Sequence, residues 1–259
     1  KKGFGKASKI QKKGNGIKLI IAPDLKPQLG KEGYTLSNTD KSITITGATA
    51  AGVFYGIQTL KQLLPVEFES GIKAKSINIP HIKISDYPRF QWRSFMLDES
   101  RHFKGAEEVK RLLDQMALLK MNVFHWHLTD DQGWRIEIKK YPLLTQIGSK
   151  RANTQTGRKS EGRTGVPHEG FYTQEQIKEI ISYAEKRHIN IVPEIEMPGH
   201  AMAAIASYPW VGSLGTTTEV PVVFSRTEDS FNISDPKVVD FLKDVLNEVI
   251  DLFPGKVIH

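Results

Sequence analysis

Cysteine is absent from the 259 residues, which removes disulfide scaffolds, zinc ribbons and thiol nucleophiles together. No apolar run approaches the about 18–20 residues that a membrane-spanning helix needs, so no membrane span is expected; the longest stretches are short, as at residues 17–21. Neither G-x-G-x-x-G nor G-K-[ST] follows a strand-like segment, so dinucleotide and P-loop readings lack their phosphate cradle. Internal repeats are absent too. The chain opens Lys1-Lys2-Gly3, with no initiating Met and no signal peptide, and reads as a processed or cut-down product. The formal charge is +7, but residues 1–41 hold ten Lys against three acids, leaving 26 bases and 26 acids for the rest. That excess is scattered lysine among glycines, with Phe4 and Tyr34 its aromatics, which favours a solvated surface over a nucleic-acid groove.

What is present divides into two rhythms. Residues 17–21 and 42–46 read as strands, the second alternating with period two. A helix follows Gly47-Ala48-Thr49, with Val53, Ile57, Leu60 and Leu64 on its apolar face, and Pro65 stops it. Residues 77–84 alternate again. Together these predict a small α+β domain over residues 1–86. From residue 87 the pattern becomes strand, then helix, repeated. Strands are expected at 94–97, 122–128, 189–195 and from 256, with helices at 106–119, after the capping box Thr173–Gln176, and after Asp235-Pro236.

Alternating βα units imply a parallel sheet. A (β/α)8 barrel further requires functional side chains at the carboxyl ends of its strands. They are there: Asp98–His102 after the first strand, His127–Gln132 after the second, Glu194–His200 after the third, and His259 on the fourth. A whole barrel takes about 250 residues, whereas 87–259 holds 173 and four strand signals. The fold class is therefore α/β, a small α+β domain followed by about half of a TIM barrel, residues 87–259.

Several constellations could carry chemistry. His125 and His127 share one strand face and, with Asp130 and His200, could bind zinc; the competing reading makes one a packed histidine and the other a pocket wall. Asp98, Asp130, Asp131, Glu194 and Glu196 at one barrel mouth suit acid/base work or hydroxyl recognition, although individual acids could pair with Arg101, Arg135 and Arg151. Arg101 could grip two vicinal hydroxyls, or simply form an ion pair with Asp98. Trp92, Trp126, Trp134 and Trp210 are candidates for stacking on sugar rings, with core packing as the alternative.

The stretches Ser100–Phe103, Met116–Arg135, Gly170–Thr173 and Val192–Ala201 closely resemble the β-N-acetylhexosaminidases of glycoside hydrolase family 20. Residues 1–86, including Gly47–Gly56, are similar to the small domain that precedes the barrel in that family. The resemblance implies a retaining exo-hydrolase acting on glycans that end in N-acetylhexosamine, with no cofactor, metal or nucleic acid, in the periplasm or outside the cell. It implies substrate-assisted catalysis: the 2-acetamido oxygen attacks the anomeric carbon, an Asp orients that amide, and the adjacent Glu serves as acid and then base. It also implies that Arg101 holds the non-reducing sugar, and that Asp130 and His200 belong to the catalytic network around the acid/base Glu. Glu196 stands where the family usually has Asp, so it is expected to support the site at one remove from the substrate.

The family's Asp-Glu pair would follow the strand of His259, and it is not within these residues. The sequence therefore leads to the expectation that the chain alone is inactive, and unstable or self-associating along an open sheet edge. A non-catalytic carbohydrate-binding fragment is the alternative reading.

Overall fold

A computed structural model describes residues 16–40, 42–65, 78–157, 161–224 and 229–259. The chain separates into two compact units, residues 1–93 with 117–120, and residues 94–116 with 121–259.

The first unit is built on a four-stranded sheet of β1 (Ile17–Ile21), β2 (Tyr34–Asn38), β3 (Ile43–Gly47) and β4 (Ile82–Asp86), in the order β1-β3-β2-β4. β1 runs parallel to β3, and β2 is antiparallel to both of its neighbours. The alternation of β3 turns Ile45 inward, where it is fully buried with Leu36, Tyr34, Val53, Tyr55 and Leu60. Burying side chains of this size contributes about 1.5–3 kcal/mol each. Helix α1 (Ala50–Gln62) covers this face, and its first turn is capped by the Thr49 hydroxyl, which accepts from the N–H groups of Ala51 and Gly52. Gly56 permits the close approach of helix to sheet, because a Cβ there would lie 2.4 Å from Ile45.

Two expectations change here. β2, with no strong apolar alternation, sits between β3 and β4, and the sequence reading passed over it. The strand expected over 77–84 starts only at Ile82. Pro80 has no N–H to give to a ladder, and the Asn38 side-chain amide instead donates to the carbonyls of Ile79 and Pro80. Ile77, and residues 1–15 and Lys41 of the basic amino-terminal segment, lie outside the described residues.

In the second unit, β5 (Ser94–Asp98), β6 (Val123–His127) and β7 (Asn190–Glu194) form a parallel sheet in the order β7-β6-β5. Helix α2 (Ala106–Leu118) connects β5 to β6, as parallel strands require. Helix α3 (Gln174–Glu185) leads into β7 and starts with the reciprocal Thr173–Gln176 capping box. It buries Ile177, Ile180, Ile181 and Ala184, the stripe its 3.6-residue period predicts. A short helix, α4 (Met202–Ser207), follows β7. Helix α5 (Pro236–Leu252) is capped by Asp235 and buries Val238, Phe241, Val245, Val249 and Leu252. The strand expected from residue 256 is not a ladder. There, His259 makes two backbone hydrogen bonds beside β7, to the Pro193 carbonyl and from the Ile195 N–H, both 2.9 Å.

Candidate active site

The register of the parallel sheet assembles the site. Asp98 on β5 and Glu194 on β7 are both paired with His127 on β6. In-register neighbours project to the same side of a sheet, so three polar side chains meet at one level from residues 29 and 67 positions away from His127 in sequence. Each is the last residue of its strand, and the following loops add Arg101, Asp130, Asp131, Glu196 and His200.

Arg101 is held at each nitrogen. Its Nε donates to Gln132 Oε1 at 3.2 Å and its Nη1 to Asp98 Oδ2 at 2.8 Å, while Nη2 lies 2.6 Å from Asp130 Oδ2. The side chain is 32% exposed. A guanidinium carries five N–H groups, so donors on both Nη atoms remain for a ligand. The two readings of Arg101 are thus compatible: it forms the ion pair with Asp98 and is pre-oriented by it.

Asp130 has a fully buried side chain. Its Oδ1 accepts from the Asp131 N–H at 2.6 Å and lies 3.2 Å from His200 Nδ1, and its Oδ2 lies 3.3 Å from His127 Nε2. Burial would raise the pKa of this carboxyl. The hydrogen bonds from His127 and Asp131, and the charges of Arg101 and His200, outweigh that and hold it below the ordinary value. Asp131 accepts from Met202 N–H at the start of α4 and sits 3.3 Å from His200 Nδ1. His200 itself has φ 52°, a left-handed backbone that non-glycine residues adopt only under local constraint.

Glu196 is placed by its own N–H, which donates to the Thr129 hydroxyl, and its carboxylate lies 3.6 Å from His127 Nε2. Burial raises its pKa, helped by Glu194 and Asp130 and opposed by His200. Glu194 is held below the ordinary range by His127, His125 and His259 against the effect of burial.

Beneath this layer two buried arginines bind main chain. Arg135, fully buried, donates to the carbonyls of Glu99, Ser100, Gln132, Ser149 and Gly170. Arg151, 3% exposed, donates to the carbonyls of Arg101 and Gln132 and to the Thr154 hydroxyl. Among the described residues, neither forms the carboxylate pair that the sequence suggested for it. Between them they fix the loop of Ser100 and Arg101. Glu99, also fully buried, accepts from the Tyr172 hydroxyl at 2.6 Å and from the Lys104 N–H.

The sets His125–Glu194–His259, His127–Asp130–Glu196 and Asp130–Asp131–His200 each bring three potential ligand atoms together. The tightest contact, His125 Nε2 to Glu194 Oε2, is 2.5 Å. Ligands on a tetrahedral zinc lie about 3.3 Å apart at ordinary bond lengths, wider than this contact, and neither of the two atoms has a hydrogen-bond partner among the described residues.

The sequence profile described as glycosyl hydrolase family 20, catalytic domain, matches residues 90–259, and that of family 20, domain 2, matches residues 2–87. The chain belongs to glycosyl hydrolase family 20. A β-hexosaminidase of Porphyromonas gingivalis is 44% identical over 95% of this chain and 30% of its own length, and one of Vibrio furnissii is 40% identical over 90% and 37%. Among solved structures, the β-N-acetylhexosaminidase of Streptomyces coelicolor superposes with a TM-score of 0.85 at 38% identity, covering 95% of this chain and 48% of that one. The Streptomyces plicatus enzyme in complex with Thio-NAglucal gives 0.84 at 40%, covering 94% and 46%. The chain thus spans less than half the length of these relatives. They share with it an α/β, TIM-barrel-like fold.

The residues singled out from sequence, Arg101, Asp130, Glu196 and His200, meet in one network with Asp98, Asp131 and Glu194. The tryptophans do not join them. Trp126 and Trp134 are 0% and 3% exposed, which removes them as sugar platforms. Trp210 packs edge-on against Tyr208 and Phe241, and Trp92 belongs to the other unit. Sequence reasoning did not single out Gln132 as the third anchor of Arg101, or Arg135 and Arg151 as binders of carbonyls. The one local signal for Arg135 is its place between the apolar residues Trp134 and Ile136.

Proposed function

We propose that this chain supplies the hydroxyl-gripping part of the active site of a β-N-acetylhexosaminidase that removes terminal N-acetylhexosamine from glycans. The observation that carries the reading is Arg101, locked by Asp98, Asp130 and Gln132 with N–H groups to spare. A planar fork of this kind matches two adjacent hydroxyls. The relatives support the substrate: one Vibrio harveyi protein is an N,N'-diacetylchitobiase, and a Streptomyces plicatus mutant was solved with the product GlcNAc. In this reading residues 1–86 are the small preceding domain and 87–259 the first half of the catalytic barrel. Three parallel strands with Asp98, His127 and Glu194 at their carboxyl ends support that division. Asp130 and His200 act in the network around the acid/base group, Glu196 supports them, and no cofactor is called for. The family resemblance supports a periplasmic or extracellular location.

The test is hydrolysis of p-nitrophenyl N-acetyl-β-glucosaminide by the product of the complete gene. Turnover that survives a chelator, and falls steeply in Arg101→Lys, is expected. Lack of turnover, or loss of activity to the chelator, would overturn the reading.

A further inference from the structure

His127 occupies a position that neither the sequence motif nor the sugar-holding role accounts for. It is 3% exposed and lies at the centre of the strand-end acids. Its Nε2 is 3.0 Å from the Thr129 carbonyl oxygen, 3.3 Å from Asp130, 3.6 Å from Glu196 and 3.8 Å from Glu194. Its Nδ1 is 3.7 Å from Asp98 Oδ1 and is buried with no hydrogen-bond partner. A carbonyl oxygen can only accept, so Nε2 must carry a proton. In a neutral imidazole the other nitrogen is then a bare lone pair, and here that lone pair would point toward a carboxylate across a buried gap. The Thr129 carbonyl and the Asp130 and Asp98 carboxylates face the two ring nitrogens. The doubly protonated ring turns a positive N–H toward Asp98, and the neutral ring turns a lone pair toward it.

Charge balance leads the same way. Asp98, Asp130, Glu194 and Glu196 surround the ring, and Asp131 adjoins Asp130. Against these five carboxyls Arg101 supplies a permanent charge at Asp98 and Asp130. The other positive candidates are imidazoles: His200 beside Asp130 and Asp131, and His125 and His259 beside Glu194. Of these four rings, His127 is the one in contact with four of the carboxyls. Clustered buried carboxylates repel one another and take up protons unless a cation lies among them.

We propose that His127 is a positioning residue, a buried imidazolium that holds the strand-end carboxylates of Asp98, Asp130, Glu194 and Glu196 in one cluster and keeps Asp130 anionic for Arg101 and His200. The strand register places it there, one residue from each of two neighbouring strands flanking it. Burial works against its charge, but contact with Asp130 and the fields of Asp98 and Glu194 outweigh burial, and its pKa lies above the ordinary 6.5. Protonation of His127 is a property of the residues around it and holds whatever sugar is bound.

The experiment is nitrogen-detected NMR of the intact protein labelled with ¹⁵N-histidine, with His127→Gln used to assign the signal. Both ring nitrogens of His127 should be protonated at pH 7, and Asp98→Asn should weaken the proton affinity of that ring at least threefold. If His127→Gln does not fold, single replacement of the other histidines by Gln assigns the His127 signal by elimination. A His127 that is a single neutral tautomer at pH 7, or one indifferent to Asp98→Asn, overturns the proposal. A second readout uses activity. Loss of the imidazolium raises the pKa of Asp130, so in His127→Gln the acidic limb of the pH–kcat/KM profile should move to higher pH. An unmoved limb with only a lower melting temperature would show a purely structural histidine. Failure of the enzyme to hydrolyse hexosaminides would leave the NMR result standing, so the two readings fail separately.

Discussion

Replacing Arg135 by Met tests how the loop of Arg101 is held. The guanidinium makes six N–H contacts of 2.5–3.4 Å to five carbonyls, and no atom of the residue reaches solvent. Methionine fills much of the volume but donates nothing. At about 1 kcal/mol net for each carbonyl that loses this donor, the gross loss is about 5 kcal/mol, although Gln132 keeps its bond from Arg151 and Ser149 its bond from the Gly170 N–H. Burial, with the nearby Arg151 charge, draws the Arg135 pKa down to about 10, so the native protein carries a disfavoured cation whose removal returns part of the loss. The net expectation is about 2–4 kcal/mol, or a fall of roughly 4–16 °C in Tm for a domain of this size. Calorimetry or guanidinium unfolding of Arg135→Met measures it, with the exposed Arg163→Met as a control expected within about 0.5 kcal/mol of the wild type. Binding of N-acetylglucosamine should weaken in Arg135→Met even below its melting temperature, because Glu99 and Ser100, the two residues before Arg101, lose their anchor. A Tm within 1 °C of the wild type would refute the claim that these carbonyls depend on Arg135.

Three other outcomes are expected. Arg101→Lys, which loses the fork shared by Gln132, Asp98 and Asp130, should lower kcat/KM by about 30- to 1,000-fold, from a cost of about 2–4 kcal/mol; normal kinetics would return Arg101 to a purely structural pair. The Asp130 carboxyl is held below its ordinary 3.8 in the folded state, so its stabilisation is complete above that unfolded value and is lost as pH falls through the lower folded value; stability curves of the wild type and Asp130→Asn should therefore converge in acid below about pH 4, and parallel curves would count against it. Gly170→Ala forces φ +148° on an L-residue and drives a Cβ to 2.1 Å from the Phe103 ring, so a loss of at least about 2 kcal/mol is expected in denaturant unfolding.

The helices were readable because each carries its own instructions. Thr173 with Gln176, and Asp235 before Pro236, cap from side chains two or three residues away, and the buried stripes of α3 and α5 repeat with the period of one helical turn. The parallel strands were readable from their apolar composition. β2 was not, because Tyr34-Thr35-Leu36-Ser37-Asn38 is half polar and gains its place from the strands on either side.

The candidate site divides in the same way. The sequence alone placed Asp98, His127 and Glu194 at strand ends, since a strand's length and the polar residues after it are local properties. That these three stand side by side depends on the register of β5 and β7 against β6, which is fixed by long-range hydrogen bonds and packing. Whether Arg135 and Arg151 would pair with acids or with carbonyls is likewise invisible locally. Both arginines are buried where the folded loops offer oxygens of the main chain, and such oxygens are present in every sequence and acquire a location only when the chain is folded.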